Sequence, residues 1–239
     1  MKNRIVTLFA AAGMVFSLQT AALAGGKPCQ AQDLACQEIA ALAETGQFDR
    51  ITANAGPASN YSEEARAYVG DAYLAIAGRE SNTPAQEEYF CLKALEYGAT
   101  SAYMGLYFIH AGTDAEKALG YLEHYIATKP KDAVPYVLLG ESEMGKENYE
   151  AANELLREAK ALARGLSTNL DWNLFQVSYL LGDFEYASAM LDSALSRGQF
   201  AKDLKALASD PRYADIGIRP EFHKYEPLLK GTTSLASIR

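Results

Sequence analysis

The chain repeats itself at a constant step of 35 residues, and this regularity limits the possible folds more than any other feature of the sequence. A fixed period of roughly 20–50 residues is the signature of repeat architectures. Four short segments define the step, with third members at 70, 105, 140 and 175: Tyr68-Val69-Gly70, Tyr103-Met104-Gly105, Leu138-Leu139-Gly140 and Asn173-Leu174-Phe175. In a second series, Leu follows Ala by four residues in Ala118–Leu122, Ala152–Leu156 and Ala187–Leu191. The chain is therefore expected to build one structural unit several times over.

Each unit is predicted to contain two helices. In the third unit, apolar residues recur at helical spacing from Ala133 to Met144 and again from about Tyr149 to Leu162, with a polar break at Gly145–Asn148. Small residues at fixed places let two helices approach closely, but one helix pair cannot bury its apolar face alone. Stacked pairs can, so the sequence predicts an all-α fold, an α-solenoid of antiparallel helix pairs.

Residues 63–198 resemble the tetratricopeptide repeat (TPR) family, whose pattern combines aromatics, a Leu-Gly pair, an Ala with a large residue four positions later, and a Pro. The unit Ser101–Pro130 matches this pattern with Met104-Gly105, Phe108, Ala118 and Leu122. The fourth unit departs from it, because Phe175 stands where a small residue is usual, and residues 89–107 are similar to the longer Sel-type relative of the same fold. The resemblance implies a right-handed superhelix that binds a protein or peptide.

The first 24 residues have the three parts of a secretory signal. Lys2 and Arg4 precede an apolar run from Ile5 to about Leu18, and Ala22-Leu23-Ala24 offers small residues to a signal peptidase. The alternative is an uncleaved N-terminal anchor, although the apolar run is short for a membrane span of about 20 residues. We therefore expect cleavage after Ala24 and secretion of the remaining chain, most simply to the periplasm. No later segment of the sequence is apolar enough to span a membrane.

The repeats are expected to lie between two capping regions. Residues 25–62 are predicted to form a degenerate N-terminal helix pair, residues 63–198 four TPR-like pairs, residues 199–230 C-terminal capping helices and residues 231–239 a flexible tail. In the C-terminal region, Pro211 and Pro220 each suit a helix start and are each followed by an aromatic residue two positions later. Such a segment would cover the apolar face that the last repeat otherwise exposes.

The net charge of the chain argues against one class of partner. Removal of the signal with its two basic residues leaves 20 Lys plus Arg against 30 Asp plus Glu, a net charge of −10. Because such a chain repels phosphate backbones, nucleic acid is not an expected partner.

Export exposes the cysteines to an oxidising compartment, where Cys29 and Cys36 either form a disulfide or remain free. Cys91 lies in a helical pattern and is expected to be a buried small hydrophobe.

No constellation of residues points to catalysis, a cofactor or a metal site. The sequence contains no G-x-S-x-G, H-E-x-x-H, P-loop or calcium-loop motif. The three histidines, His110, His124 and His223, lack paired ligand spacing and are interpreted as isolated surface or groove residues. The acidic pairs Glu63-Glu64 and Glu87-Glu88 suit helix starts, where they complement the helix dipole. The protein is therefore not expected to be an enzyme.

The resemblance places the binding surface on the first helix of each pair, at positions three before, one after and four after each 35-residue landmark. This surface is apolar and aromatic with few charges, which suits a peptide with apolar anchors and a basic residue. Trp172 either faces a ligand or packs under the tail, because aromatic residues serve both roles. The predicted groove residues are Asp71, Leu74, Leu106, Ile109, Glu141, Met144, Trp172, Gln176 and Tyr179.

Three functions remain open on the sequence alone. The first is a secreted scaffold that binds a protein or peptide partner in its concave groove and has no catalytic activity. The second is a Sel-type, cysteine-linked enzyme of cell-wall chemistry, which would carry regularly spaced cysteine pairs, whereas Cys91 is the single cysteine within the repeats. The third is a structural envelope protein that self-assembles as a homo-oligomer through an uncovered end of the repeat array.

Overall fold

Helices joined by short turns follow the predicted repeat. The computed structural model describes residues 28–163, 168–196 and 200–230, and these residues contain no strand. The predicted signal sequence, its predicted cleavage site and the predicted flexible tail at 231–239 lie outside them. The chain divides into two units, Met1–Thr128 and Lys129–Arg239. The first contains α1 (Leu34–Glu44), α2 (Phe48–Ala53), α3 (Glu63–Ala77), α4 (Pro84–Glu96), α5 (Ala102–His110) and α6 (Ala115–Thr128). The second contains α7 (Ala133–Gly145), α8 (Tyr149–Leu162), α9 (Thr168–Leu180), α10 (Phe184–Leu195), α11 (Ala201–Leu207) and α12 (Glu226–Leu229).

Local signals in the sequence set several helix starts in the first unit. The Ser62 hydroxyl accepts a hydrogen bond from the Ala65 backbone N–H at the start of α3. At the start of α4, Thr83 and Gln86 form a reciprocal capping box, and Pro84 occupies the first turn. Helices α3 and α4 pack as one pair and α5 and α6 as the next, while α1 and α2 pack on α3.

A disulfide joins Cys29 to Cys36 at the start of α1, with 5.7 Å between the two Cα atoms. The Asp33 carboxylate accepts a hydrogen bond from the Cys36 backbone N–H at 2.9 Å and so caps the same helix. Cys36 itself is fully buried. The covalent bond and the cap together hold the start of α1 in place.

The glycines at the 35-residue step lie where two helices approach most closely. A Cβ atom on Gly70 would lie 2.8 Å from the Ala99 Cβ, and one on Gly105 would lie 2.8 Å from the Cys91 sulfur. In the second unit, a Cβ on Gly140 would lie 2.7 Å from Leu156 Cγ. These distances are well below van der Waals contact, so the repeated Gly is a packing requirement. Cys91 is a buried thiol within this seam, as the sequence predicted.

The second unit ends in a C-terminal segment, residues 200–230, that packs on the last helix pair. The two predicted helices that start at Pro211 and Pro220 are short 3₁₀-helices, Pro211–Tyr213 and Pro220–Tyr225. The aromatic side chains of these helices, Tyr213, Phe222 and Tyr225, enter one core with Phe175. This core also includes Leu204 and Leu228. The fourth unit therefore has a fully buried Phe175 at the step position that holds Gly in the other three units.

Candidate functional site

The first unit keeps three of the four predicted groove residues accessible. Asp71, Leu74 and Ile109 are half-buried on α3 and α5. Leu106 is fully buried in the core with Val69 and other residues of α3 and α4, so its assignment to the groove is wrong. The physical reason is that the Leu106 side chain packs into the apolar core that also contains Cys91 and Ala94, which excludes solvent.

Two of the predicted aromatic groove residues in the second unit are core residues. Trp172 is 9% exposed and stacks on Phe200, with 4.9 Å between ring centroids and 5° between ring planes. Tyr179 is 4% exposed, and its ring centroid lies 5.0 Å from that of Tyr213 and 5.4 Å from that of Phe222. The C-terminal segment covers both, so Trp172 takes the packing role and the groove assignment of Tyr179 is wrong.

Polar contacts fasten the C-terminal segment over these rings. The Tyr179 hydroxyl donates a hydrogen bond to Asp215, and Asp215 also pairs with Arg219. The Arg219 guanidinium lies 3.6 Å from the centroid of the Phe184 ring. Burial, together with the bond to Asp215, raises the pKa of Tyr179 to about 12, so the hydroxyl remains a donor at neutral pH.

The accessible part of the predicted groove in the second unit centres on Glu141. Glu141 is exposed on α7, while Met144 on α7 and Gln176 on α9 are half-buried. The Asn173 side-chain amide donates a hydrogen bond to Glu141 Oε1 at 2.7 Å and links the first helices of two successive pairs. Val137 lies one turn from Glu141 on the same face of α7. The structure therefore brings the Glu141 carboxylate and the Asn173 amide together, with Val137 and Met144 about one turn from Glu141 on α7.

Sequence reasoning did not include Asn173 in this site. A signal was present, because Asn173 is a polar residue at the repeat position that holds Tyr68, Tyr103 and Leu138 in the other units. Neighbouring side chains partly desolvate the Glu141 carboxylate and raise its pKa, and the hydrogen bond from Asn173 opposes this shift.

His110 on α5 contacts a carboxylate on α4. His110 is 9% exposed, and its Nε2 atom lies 2.9 Å from Glu88 Oε1, so the interpretation as an isolated surface or groove residue is wrong for His110. Lys117 donates to the same oxygen at 2.8 Å, and these bonds from Lys117 and His110 lower the pKa of the Glu88 carboxyl. The described residues contain no group of three or more potential metal ligands.

A Ser–Lys–Asp cluster in the second unit has residue types that also occur in hydrolytic enzymes. Asp171 is fully buried, and both Lys160 and Ser193 donate hydrogen bonds to its carboxylate. The Ser193 hydroxyl proton is therefore directed at a carboxylate oxygen. This arrangement satisfies a buried charge, as buried ion pairs require.

The Cys91 thiol is also unsuited to chemistry. Desolvation by burial, with Glu87 and Glu88 contributing, raises the pKa of Cys91 to about 11. A buried neutral thiol is a poor nucleophile. Cys91 therefore gives no support to a cysteine-linked enzyme.

Comparison with known proteins identifies the fold. MamA AMB-1 matches this chain with a TM-score of 0.51 and 21% identity over 71% of this chain and 90% of its own. The Cut9–Hcn1 hetero-tetramer of the APC/C matches with a TM-score of 0.45 and 18% identity over 85% of this chain and 40% of its own. No family model and no curated protein matches the sequence. Together with the helix pairs, the similarity to MamA confirms the predicted all-α fold, an α-solenoid of helix pairs.

None of the helices in the described ranges combines the length and apolar character needed to cross a bilayer.

Proposed function

We propose that this protein is exported to the periplasm, loses residues 1–24 on the way, and there binds a protein or peptide partner without catalysing a reaction. The TPR-type fold supports this proposal, because repeat folds present extended binding surfaces. The N-terminal sequence supports the export step.

The observation that carries the proposal is that different residues of the first helices serve packing and remain accessible to a partner. Gly70, Gly105 and Gly140 serve the packing seams, while the first helices of each unit keep side chains that are half-buried or exposed. We call these side chains the first-helix patch of each unit; the patch of the first unit comprises Asp71, Leu74 and Ile109, and that of the second comprises Glu141, Met144 and Gln176. Apolar side chains interspersed with a few polar ones are typical of peptide-binding surfaces.

Site-specific photo-crosslinking in intact cells tests the proposal. A photoreactive residue replaces Asp71, Glu141 or Gln176 in the first-helix patch, and matched controls replace the exposed Glu116 or Glu154 on second helices. Discrete adducts at the patch positions and none at the controls are expected. Equal labelling at all positions, or no adduct from any position in correctly exported protein, contradicts the proposal.

Gel electrophoresis of the crosslinked protein and fractionation of the cells also test self-assembly and export. An adduct of twice the chain mass identifies a second copy as the partner, which is the self-assembly alternative. Export predicts that the protein appears in the periplasmic fraction with residues 1–24 removed.

A further inference from the structure

The Glu141 carboxylate differs from those of Asp171 and Asp183 in the partner it has. Asp171 pairs with Lys160, and Asp183 pairs with Arg157 at 2.8 Å. Among the described residues, no Lys, Arg or His lies within ion-pair distance of Glu141. Its one hydrogen bond comes from the Asn173 amide, which is neutral and leaves the negative charge uncompensated.

Local electrostatics favour a cation at this point. Helix α7 ends at Gly145, one turn beyond Glu141, so the partial negative charge of the helix C-terminus adds to that of the carboxylate. The next cation along the chain, Lys146, is held by Glu143 at 2.7 Å. Partial desolvation strengthens the field of Glu141, because charges interact more strongly where water is displaced.

The geometry leaves one carboxylate oxygen free for a ligand. Asn173 donates to Oε1 at 2.7 Å and so fixes the orientation of the group, and Oε2 has no partner among the described residues. Gln176 lies one turn beyond Asn173 on the same face of α9 and provides a second amide. Val137 and Met144 flank Glu141 on α7 and pack against the core of the second unit, so they present fixed apolar surface.

We propose that Glu141 and Asn173 form a receptor for the arginine or lysine side chain of a bound peptide whose neighbouring apolar residue contacts Val137 and Met144. This inference rests on the proposed function and names the chemistry of its partner. The incoming cation supplies the charge that the chain itself does not provide, and Asn173 holds the carboxylate ready for it. A charge-assisted hydrogen bond in such a setting is among the stronger single contacts in proteins.

The test uses a phage-displayed library of random dodecapeptides, selected on the purified protein and on three variants. Glu141→Gln removes the charge and keeps the shape. Asn173→Lys supplies a cation from the chain itself. Glu150→Gln, an exposed position at the start of α8, is the control with the same change of charge. Circular dichroism and thermal unfolding verify that each variant is folded.

Arginine and lysine are expected to be enriched among peptides selected by the unmodified protein and by Glu150→Gln, and not among those selected by the other two variants. A selected arginine peptide should bind about tenfold more weakly to Glu141→Gln. Replacing its arginine by citrulline should weaken binding to the unmodified protein by a similar factor and to Glu141→Gln by almost nothing, because the two changes remove the same contact.

One result would refute the receptor at Glu141 and Asn173, and a different result would refute peptide binding as such. Selected peptides without basic enrichment, or basic enrichment that persists in Glu141→Gln, refute the receptor and leave the scaffold function standing. If the unmodified protein selects no peptide above the background seen with an unrelated protein, the proposed peptide binding is itself contradicted.

Discussion

Substituting Gly70 by Ala should destabilise the first unit although it improves the intrinsic helix propensity of α3. Propensity alone favours Ala over Gly in a helix interior by about 1 kcal/mol. The new Cβ, however, would lie 2.8 Å from the Ala99 Cβ and 3.4 Å from the Ala94 carbonyl oxygen. Neither of these atoms can turn aside without moving backbone, and overpacking of this kind costs about 1–3 kcal/mol. The net expectation is a loss of up to about 2 kcal/mol in the free energy of unfolding.

Gly120→Ala is the matched control for this prediction. Gly120 lies inside α6 in the same unit, and a Cβ there would meet no atom within 4 Å. This substitution should stabilise the protein by about 0.5–1 kcal/mol, because it gains propensity without a clash. Urea unfolding followed by circular dichroism measures both variants. If Gly70→Ala is as stable as Gly120→Ala, the 35-residue glycine step is not a packing requirement and the explanation of the repeat fails.

Three further predictions concern the two ends of the fold and the ion pair in the first unit. Cys29→Ser should lower the free energy of unfolding by about 2 kcal/mol through loss of the cross-link, and a reductant should then have no further effect in urea titrations. Tyr179→Phe should cost about 1–2 kcal/mol because it removes the hydrogen bond to Asp215, and a loss above that in thermal unfolding would show that the ring has also moved. Bonds from Lys117 and His110 lower the pKa of Glu88, so their stabilisation is present above the unfolded-state pKa and is lost as pH falls through the lowered folded value. Glu88→Gln should therefore be less stable than the unmodified protein at pH 7, with the difference disappearing in acid; a constant difference across this range would contradict the assignment.

The fold could be predicted because its determinants are local and periodic. The polar break at Gly145–Asn148 predicted the boundary between two helices that the structure has at Ala133–Gly145 and Tyr149–Leu162. The same periodicity marked the glycine positions where helices approach closely. Such signals need no knowledge of distant parts of the chain.

The candidate site was harder to predict because accessibility depends on contacts between distant residues. The repeat pattern placed Trp172 and Tyr179 on the inward face, but it could not show that residues 200–230 return to cover them. The bond between Glu141 and Asn173 likewise depends on the register between two helices, 32 positions apart in sequence. In the second unit, residues 200–230 cover Trp172 and Tyr179, whereas Glu141 and Met144 stay accessible.

Phe175 and the aromatic rings around it also bear on how a protein of this kind can change in length. A duplicated helix pair placed directly after Leu195 would have to displace Tyr213, Phe222 and Tyr225, which already occupy the surface that such a pair would need. An insertion before α9 would leave the last pair and the rings that cover it in contact. Evolutionary lengthening of this chain is therefore expected to add repeats internally and to preserve the last pair together with its covering segment as one inherited block.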